Sequence, residues 1–188
     1  MIGLLGLLLA AQVNTTTERD NRVADMYQKE LDLVEHDLVG LAEAMPADKY
    51  DFRPAGGAFD GVRTFGEQVR HAATMIYMTA AIVLGERSPY GPGTNDNGPD
   101  NLLGKDAIVQ YLHGSIAYAR KAMASLTEQK HLDPLRTYFG QQPRIAVAAG
   151  IAFHSYDHYG QMVVYARMNG ITPPARASFP ERSAPSHL

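Results

Sequence analysis

Residues 64–85 read TFGEQVRHAATMIYMTAAIVLG, a stretch that carries the start, the body and the end of one helix. Thr64 and Glu67 form a Thr-x-x-Glu capping box, in which each side chain satisfies a backbone amide left unpaired at a helix start. Apolar residues follow at three- and four-residue steps, which is the period of a helix with one buried face. Gly85 ends the pattern, as glycine often does just past a helix. The stretch predicts an amphipathic helix from residue 65 to about residue 84.

The same period identifies three more helices. Apolar residues recur at helical spacing in residues 18–45, in residues 105–126 and between Pro143 and Asn169. A long connection, residues 85–104, separates the second helix from the third and is rich in proline, glycine and asparagine. No alternating apolar pattern bounded by hairpin signals indicates a strand. The predicted fold class is all-α, a four-helix bundle with long connecting loops.

The composition limits the kinds of functional site. The chain has 188 residues, no cysteine, seven histidines and a formal net charge of -3. This length suits one domain. The absence of cysteine excludes thiol nucleophiles, disulfides and iron–sulfur clusters, so any metal must be bound by His, Asp or Glu. Lys and Arg are scattered through the chain, which disfavours nucleic-acid binding.

The two ends of the chain are predicted to lie outside the bundle, which is assigned to residues 18–171. Residues 1–17 comprise an apolar run at 2–11 and a polar linker. The run is too short for a stable membrane span but suits a secretory signal peptide, in which case the protein is exported; otherwise it is cytoplasmic. The alternative is an apolar extension packed on the domain. Residues 172–188 form a proline-rich tail that is expected to be extended.

Three histidines are predicted to face the core together. His154 and His158 lie one turn apart on the apolar face of the fourth helix, and His71 lies on the inward face of the second. A shared divalent cation would satisfy these imidazoles, and three ligands leave a fourth position open, as in catalytic zinc sites. Nickel, copper and iron also suit imidazole, and hydrogen-bonded core histidines are the alternative. The remaining histidines are given no role: His36, His113, His131 and His187.

Three segments carry a resemblance to a known family. They are FRP at 52–54, RTFGEQVRH at 63–71 and FHSYDHYGQ at 153–161. In combination they resemble the DinB/YfiT-like superfamily of proposed metalloenzymes, and the similarity covers roughly residues 18–174.

The resemblance implies a specific architecture and a metal site. The four helices would follow an up-down-down-up order, with residues 85–104 crossing between parallel second and third helices. His71, His154 and His158 would be the ligands of one divalent metal ion, most commonly nickel or zinc, at a solvent-open end of the bundle.

Two enzyme functions and one non-catalytic function follow from such a site. A cation with an open position can activate a water molecule for small-molecule hydrolysis, or a thiol cosubstrate for transfer to an electrophile. The alternative is a metal-binding or metal-stabilised bundle, for which a homodimer is one candidate assembly. Glu67, Asp157 and Gln161 are the candidate supporting or catalytic residues, because each lies within one turn of a predicted ligand.

Overall fold

The computed structural model describes residues 22–175, and these are mostly helical. Helix α1 comprises residues 22–34, a π-helical turn at Glu35–Val39 and Gly40–Ala44. The other three long helices are α2 at Phe65–Leu84, α3 at Gly104–Ala124 and α4 at Arg144–Met168. Short 3-10 turns occupy Ala47–Lys49, Gly57–Phe59 and Thr94–Asp96. The four predicted helices are therefore present within the described residues.

The all-α prediction is wrong at one place, where a hairpin precedes α4. Strand β1, Pro134–Thr137, pairs antiparallel with β2, Gly140–Pro143. Each strand has four residues, and no residue of either strand is fully buried. A strand that buries no side chain needs no alternating apolar pattern, so the sequence carried no strand signal here.

The predicted limits of α2 are confirmed by its caps. The Thr64 hydroxyl accepts from the Glu67 amide at 3.2 Å, and the Glu67 carboxylate accepts from the Thr64 amide at 2.7 Å. Gly85 adopts a left-handed φ of 71° at the other end. These local interactions fix where the helix begins and ends.

Helix α2 lies at the centre of the fold and packs against both α3 and α4. Its buried side includes Ala73, Ile76 and Val83, whereas Met75 and Met78, two apolar residues of the helical pattern, are only half-buried. The helix has neighbours on more than one side, so its buried surface is wider than a single stripe.

Side-chain contacts give the relative directions of these helices. Gln68 near the start of α2 contacts Gln161 near the end of α4, whereas the carbonyl of Val83 accepts from Arg144 at the start of α4. Helices α2 and α4 therefore run antiparallel, and the first two turns of α2 lie beside the second half of α4.

Most of the two predicted terminal segments falls outside the part of the chain that the structure describes. Residues 1–17 and 176–188 lie outside the described residues, as do the first residues of the predicted bundle. Within residues 22–175, none of the helices combines the length and apolarity that crossing a bilayer requires.

Candidate metal centre

Helices α2 and α4 bring the three predicted histidines together. Nε2 of His71 lies 3.3 Å from Nε2 of His154. The ring centroids of the three imidazoles are 4.6 to 5.3 Å apart, and one ligand atom from each ring lies within 4.8 Å of the other two. His71 and His158 are buried and His154 is half-buried. We call this group the His cluster.

The connection between α2 and α3 orients His71. Nδ1 of His71 lies 2.9 Å from the backbone carbonyl of Asp96. Asn95 and Asp96 both have positive φ values, 55° and 58°, so this hydrogen bond depends on an uncommon backbone conformation. Because a carbonyl only accepts, Nδ1 carries the proton and Nε2 of the neutral ring presents its lone pair to the cluster.

A chain of amide groups orients His158 in the same way. Nδ1 of His158 lies 2.6 Å from Oε1 of Gln68, whose Nε2 donates to Oε1 of Gln161 at 2.9 Å. Nε2 of Gln161 in turn lies 3.5 Å from the Asp157 carboxylate. The chain fixes the Gln68 carbonyl as an acceptor, so His158 also donates from Nδ1 and keeps the lone pair on Nε2.

The three candidate supporting residues thus differ in position. Gln161 and Asp157 are linked to His158 through Gln68. Glu67 is bound to the start of α2 through its capping box, and its side chain lines a cleft beside the cluster. None of the three is hydrogen-bonded to an imidazole nitrogen of the cluster: Gln161 and Asp157 reach His158 through Gln68, and Glu67 is bound to Thr64.

Burial keeps the imidazoles neutral. Desolvation lowers the pKa of His71, His154 and His158, and the nearby positive charge of Arg63 lowers each of the three further. For His158 the pKa falls to about 3, because the charges of the other two histidines add to burial. Neutral imidazole is the form that binds metal ions.

The donor set fits a divalent transition metal. Zinc–nitrogen distances of about 2.0–2.1 Å place two nitrogen ligands of one tetrahedral ion about 3.4 Å apart. The separation between the Nε2 atoms of His71 and His154 matches this value. Lone pairs that face each other at this distance repel unless a proton or a cation lies between them.

A polar cleft of about 530 Å³ adjoins the His cluster. It is lined by Arg53, Gly61, Val62, Arg63, Glu67, Gln68, Asn95, Asn97 and Gln161. Gln68 belongs both to this wall and to the hydrogen-bond chain of His158. The cleft is therefore separated from the His cluster by Gln68, since none of the three histidines lines it, and its size suits a small molecule.

Sequence reasoning missed two groups that orient the ligands. Gln68 lies one turn before His71 on the same helix face, and this spacing was the available signal for a supporting role. The Asp96 carbonyl had no signal, because any residue supplies a carbonyl and only the folded loop brings this one to His71.

The remaining described histidines lie away from the cluster. His36 pairs with Asp37, His113 with Glu43, and His131 lies near the Thr127 carbonyl. His187 lies outside the described residues. Within residues 22–175, the only group that brings together three side chains able to bind a metal ion is the His cluster.

Comparisons with known proteins agree with this fold. The chain is similar to a DinB-like protein from Bacillus cereus ATCC 10987, with a TM-score of 0.61 and 16% sequence identity in an alignment that covers 80% of this chain and 95% of the other. No curated protein matches closely enough to serve as a relative. The family model of the DinB superfamily matches residues 30–162, which is more than half of the chain. The resemblance drawn from the sequence motifs is thereby confirmed, and the protein belongs to the DinB superfamily.

Proposed function

We propose that this protein is a divalent-metal-dependent hydrolase of small molecules, with one metal ion bound by His71, His154 and His158. The observation that carries the proposal is the convergence of the three imidazoles, with one possible ligand atom of each within 4.8 Å of the other two, while Nδ1 of His71 and of His158 is hydrogen-bonded to the chain. Among the described residues, Nε2 of His71 has only Nε2 of His154 as a partner, and a shared cation would bind both atoms.

The proposed helix arrangement is an up-down-down-up four-helix bundle. Asp32 of α1 contacts Arg120 of α3, and Glu43 contacts His113, which supports an antiparallel α1–α3 pair. Glu86, just past α2, contacts Lys121 near the end of α3. This contact and the Thr74–Tyr111 contact support a parallel α2–α3 pair.

The bound cation supplies Lewis-acid chemistry, by lowering the pKa of a bound water or thiol or by polarising a carbonyl. Zinc and nickel are the proposed ions, since both accept imidazole ligands. The chain itself contributes orientation, through Gln68 and the Asp96 carbonyl. Glu67 has one carboxylate oxygen engaged by the Thr64 amide and is the candidate proton acceptor in the cleft.

A hydrolase site activates water, whereas a thiol-transferase site activates a thiol, and the composition of the chain bears on the choice between them. The chain has no cysteine, so a thiol would have to arrive as a cosubstrate. A hydrolase needs only water in addition to its substrate. Thiol-dependent transfer is therefore the second candidate function.

The test begins with metal binding. Protein purified without a tag should contain about one zinc or nickel ion per chain and should melt at a lower temperature after chelation. His154→Ala should weaken metal binding by more than about 100-fold, because one of three ligands is lost. The control His113→Ala removes an exposed histidine that pairs with Glu43 and should leave metal binding unchanged.

Activity is then measured on chromogenic esters and amides, with and without added low-molecular-weight thiol. Turnover without thiol that His154→Ala abolishes supports the hydrolase, and turnover that requires thiol supports the transferase. Stoichiometric metal without turnover of either kind supports a non-catalytic metal-stabilised protein. If the wild type binds no metal and melts like His154→Ala under all conditions, the metal site itself is wrong.

A further inference from the structure

The cleft beside the His cluster carries unusual positive charge. Arg53 and Arg63 both line it, and Glu67 is the only carboxylate among the described residues of its wall. One oxygen of Glu67 is already bound to the Thr64 amide. The wall therefore presents two guanidinium groups against one partly engaged carboxylate.

Arg63 is held in place by neutral groups. Its Nε donates to Oδ1 of Asn97 at 3.0 Å, and one terminal nitrogen donates to the Asn95 carbonyl at 2.9 Å. None of the described carboxylates lies within ion-pair distance of it. Arg63 thus has a fixed position, an uncompensated charge and N–H groups beyond those the chain engages.

Arg53 has no hydrogen-bond or ion-pair partner among residues 22–175 and is exposed to the cleft. Two other arginines of the fold make contacts that are typical of a structural role. Arg120 binds the carboxylates of Asp32 and Glu35, and Arg70 donates to two backbone carbonyls of the α2–α3 connection. Arg53 stabilises no comparable contact in the described part of the chain.

Carboxylates near the cluster do not cancel this charge. Asp96 and Asp157 act on His71 and His154, whose pKa values they raise against the larger effect of burial. Neither Asp96 nor Asp157 lines the cleft, so the two guanidinium groups of its wall face the single carboxylate of Glu67. A negatively charged group in the cleft would meet positive potential on two sides.

We propose that the cleft binds an oxyanion of the substrate, a carboxylate or a phosphate, between Arg53 and Arg63, so that the substrate is a small anionic molecule. Guanidinium groups match the geometry of both oxyanions. The cleft volume of about 530 Å³ suits a small molecule, and the cleft wall shares Gln68 with the hydrogen-bond chain of His158. The assignment of a substrate rests on the proposed function, whereas oxyanion binding itself is measurable without turnover.

The experiment is isothermal titration calorimetry of the full chain, as purified and after chelation, with three probes: succinate, inorganic phosphate and neutral succinamide. Arg53→Gln and Arg63→Gln should each weaken succinate or phosphate binding by about tenfold or more, because each removes a charged hydrogen-bond donor. Because succinamide carries no charge, its affinity for the wild type should be no higher than the affinity of succinate for these variants. Whichever of the two anions binds the wild type more tightly identifies the oxyanion as a carboxylate or a phosphate.

Arg87→Gln is the matched control, since Arg87 is exposed just past the opposite end of α2. It removes the same charge beyond the end of α2, which lies about 20 Å along the helix from His71, and it should leave anion binding unchanged. Arg63→Gln also removes the contacts of Arg63 with Asn95 and Asn97, so Arg63→Lys, which keeps the charge, is measured beside it. Arg53→Gln breaks no contact in the described residues.

The outcomes separate this proposal from the metal site. Equal binding of succinate and succinamide, equal effects of all three Arg→Gln variants, or wild-type affinity in both cleft variants would each overturn oxyanion recognition, whatever the metal content. Arginine-dependent anion binding in protein that holds no metal would support the cleft assignment while contradicting the proposed hydrolase.

Discussion

Two clusters of polar rings pack along α2, and they satisfy their polar atoms differently. Tyr77, Tyr90, Tyr111 and Tyr118 form a Tyr cluster near the end of α2, with ring centroids 4.9 to 5.6 Å apart. The His cluster near the start of α2 has similar ring spacings, 4.6 to 5.3 Å. Ring spacing alone therefore does not distinguish a structural cluster from a ligand site.

The hydrogen-bond partners make the distinction. The Tyr111 hydroxyl pairs with Thr74, and the Tyr118 hydroxyl donates to Glu86, so the chain itself supplies partners in the Tyr cluster. In the His cluster, the outer nitrogens of His71 and His158 have partners in the chain, while the inner nitrogens face other imidazoles. Among the described residues, Nε2 of His71 and Nε2 of His154 have only each other as partners, and a shared cation would bind both, which makes the His cluster the place for an added ligand.

The largest expected difference between the clusters is their response to pH in metal-free protein. Burial lowers the pKa of the three histidines, to about 3 for His158, so the unfolded chain binds more protons below its ordinary pKa near 6.5. Stability is therefore complete above this pH and is lost as the pH falls. Between pH 7 and pH 5, His158 alone should lower the free energy of unfolding by on the order of 2 kcal/mol.

The Tyr cluster should respond at the opposite end of the pH scale. Burial raises the pKa of Tyr77 to about 12, so the unfolded chain loses its proton first and stability falls as the pH rises above about 10. Urea unfolding of chelated protein from pH 5 to pH 11 measures both effects. His158→Gln should reduce only the acid-side loss of stability, to which His71 and His154 also contribute, and Tyr77→Phe only the alkaline-side loss, to which the buried Tyr50 also contributes. An acid side unchanged by His158→Gln would contradict the burial of a neutral imidazole.

The next expected effect concerns the hydrogen-bond chain behind His158. Gln68→Leu should weaken zinc or nickel binding by about 10- to 100-fold, because His158 loses the acceptor that fixes its ring and its proton position. Gln68→Glu keeps an acceptor at this site and should retain most of the affinity. Gln161→Leu should have a smaller effect on metal affinity, since Gln161 contacts Gln68 and not the imidazole of His158.

A matched glutamine tests whether this effect is specific. Gln28 bonds Arg120 between α1 and α3, away from the His cluster, and Gln28→Leu should leave metal affinity unchanged in a competitive chelator titration. If Gln68→Glu binds metal as weakly as Gln68→Leu, packing and not hydrogen bonding explains the role of Gln68.

The sequence predicted the parts of the site that depend on local signals. The limits of α2 were readable because Thr64, Glu67 and Gly85 act within a few residues of one another. The convergence of His71 with the histidines of α4 was readable because residues one turn apart on an apolar face must point into the core.

What the sequence could not predict depends on contacts between distant residues. The hairpin at Pro134–Pro143 buries none of its residues fully, so it left no periodic pattern. The Asp96 carbonyl reaches His71 only because Asn95 and Asp96 adopt left-handed backbone conformations that nothing in their local sequence requires. The backbone group behind His71 was therefore hidden, while the three imidazoles and the supporting side chains of Gln161 and Asp157 were visible.

The smallest expected effect tests a physical link between the two clusters. Gly98 has a φ of 72°, and a Cβ at this position would lie 2.5 Å from the Thr74 hydroxyl and 2.8 Å from the Tyr111 hydroxyl. Gly98→Ala should lower the free energy of unfolding by about 1–2 kcal/mol, from backbone strain and this overlap. It should also weaken metal binding severalfold, because the displaced loop carries the Asp96 carbonyl away from His71. In Gly91→Ala the new Cβ meets no atom within 4 Å, so this control should change neither quantity. Because the overlap lies at the Tyr cluster and the expected loss of affinity lies at the His cluster, reduced stability with unchanged metal affinity would show that the loop does not position His71.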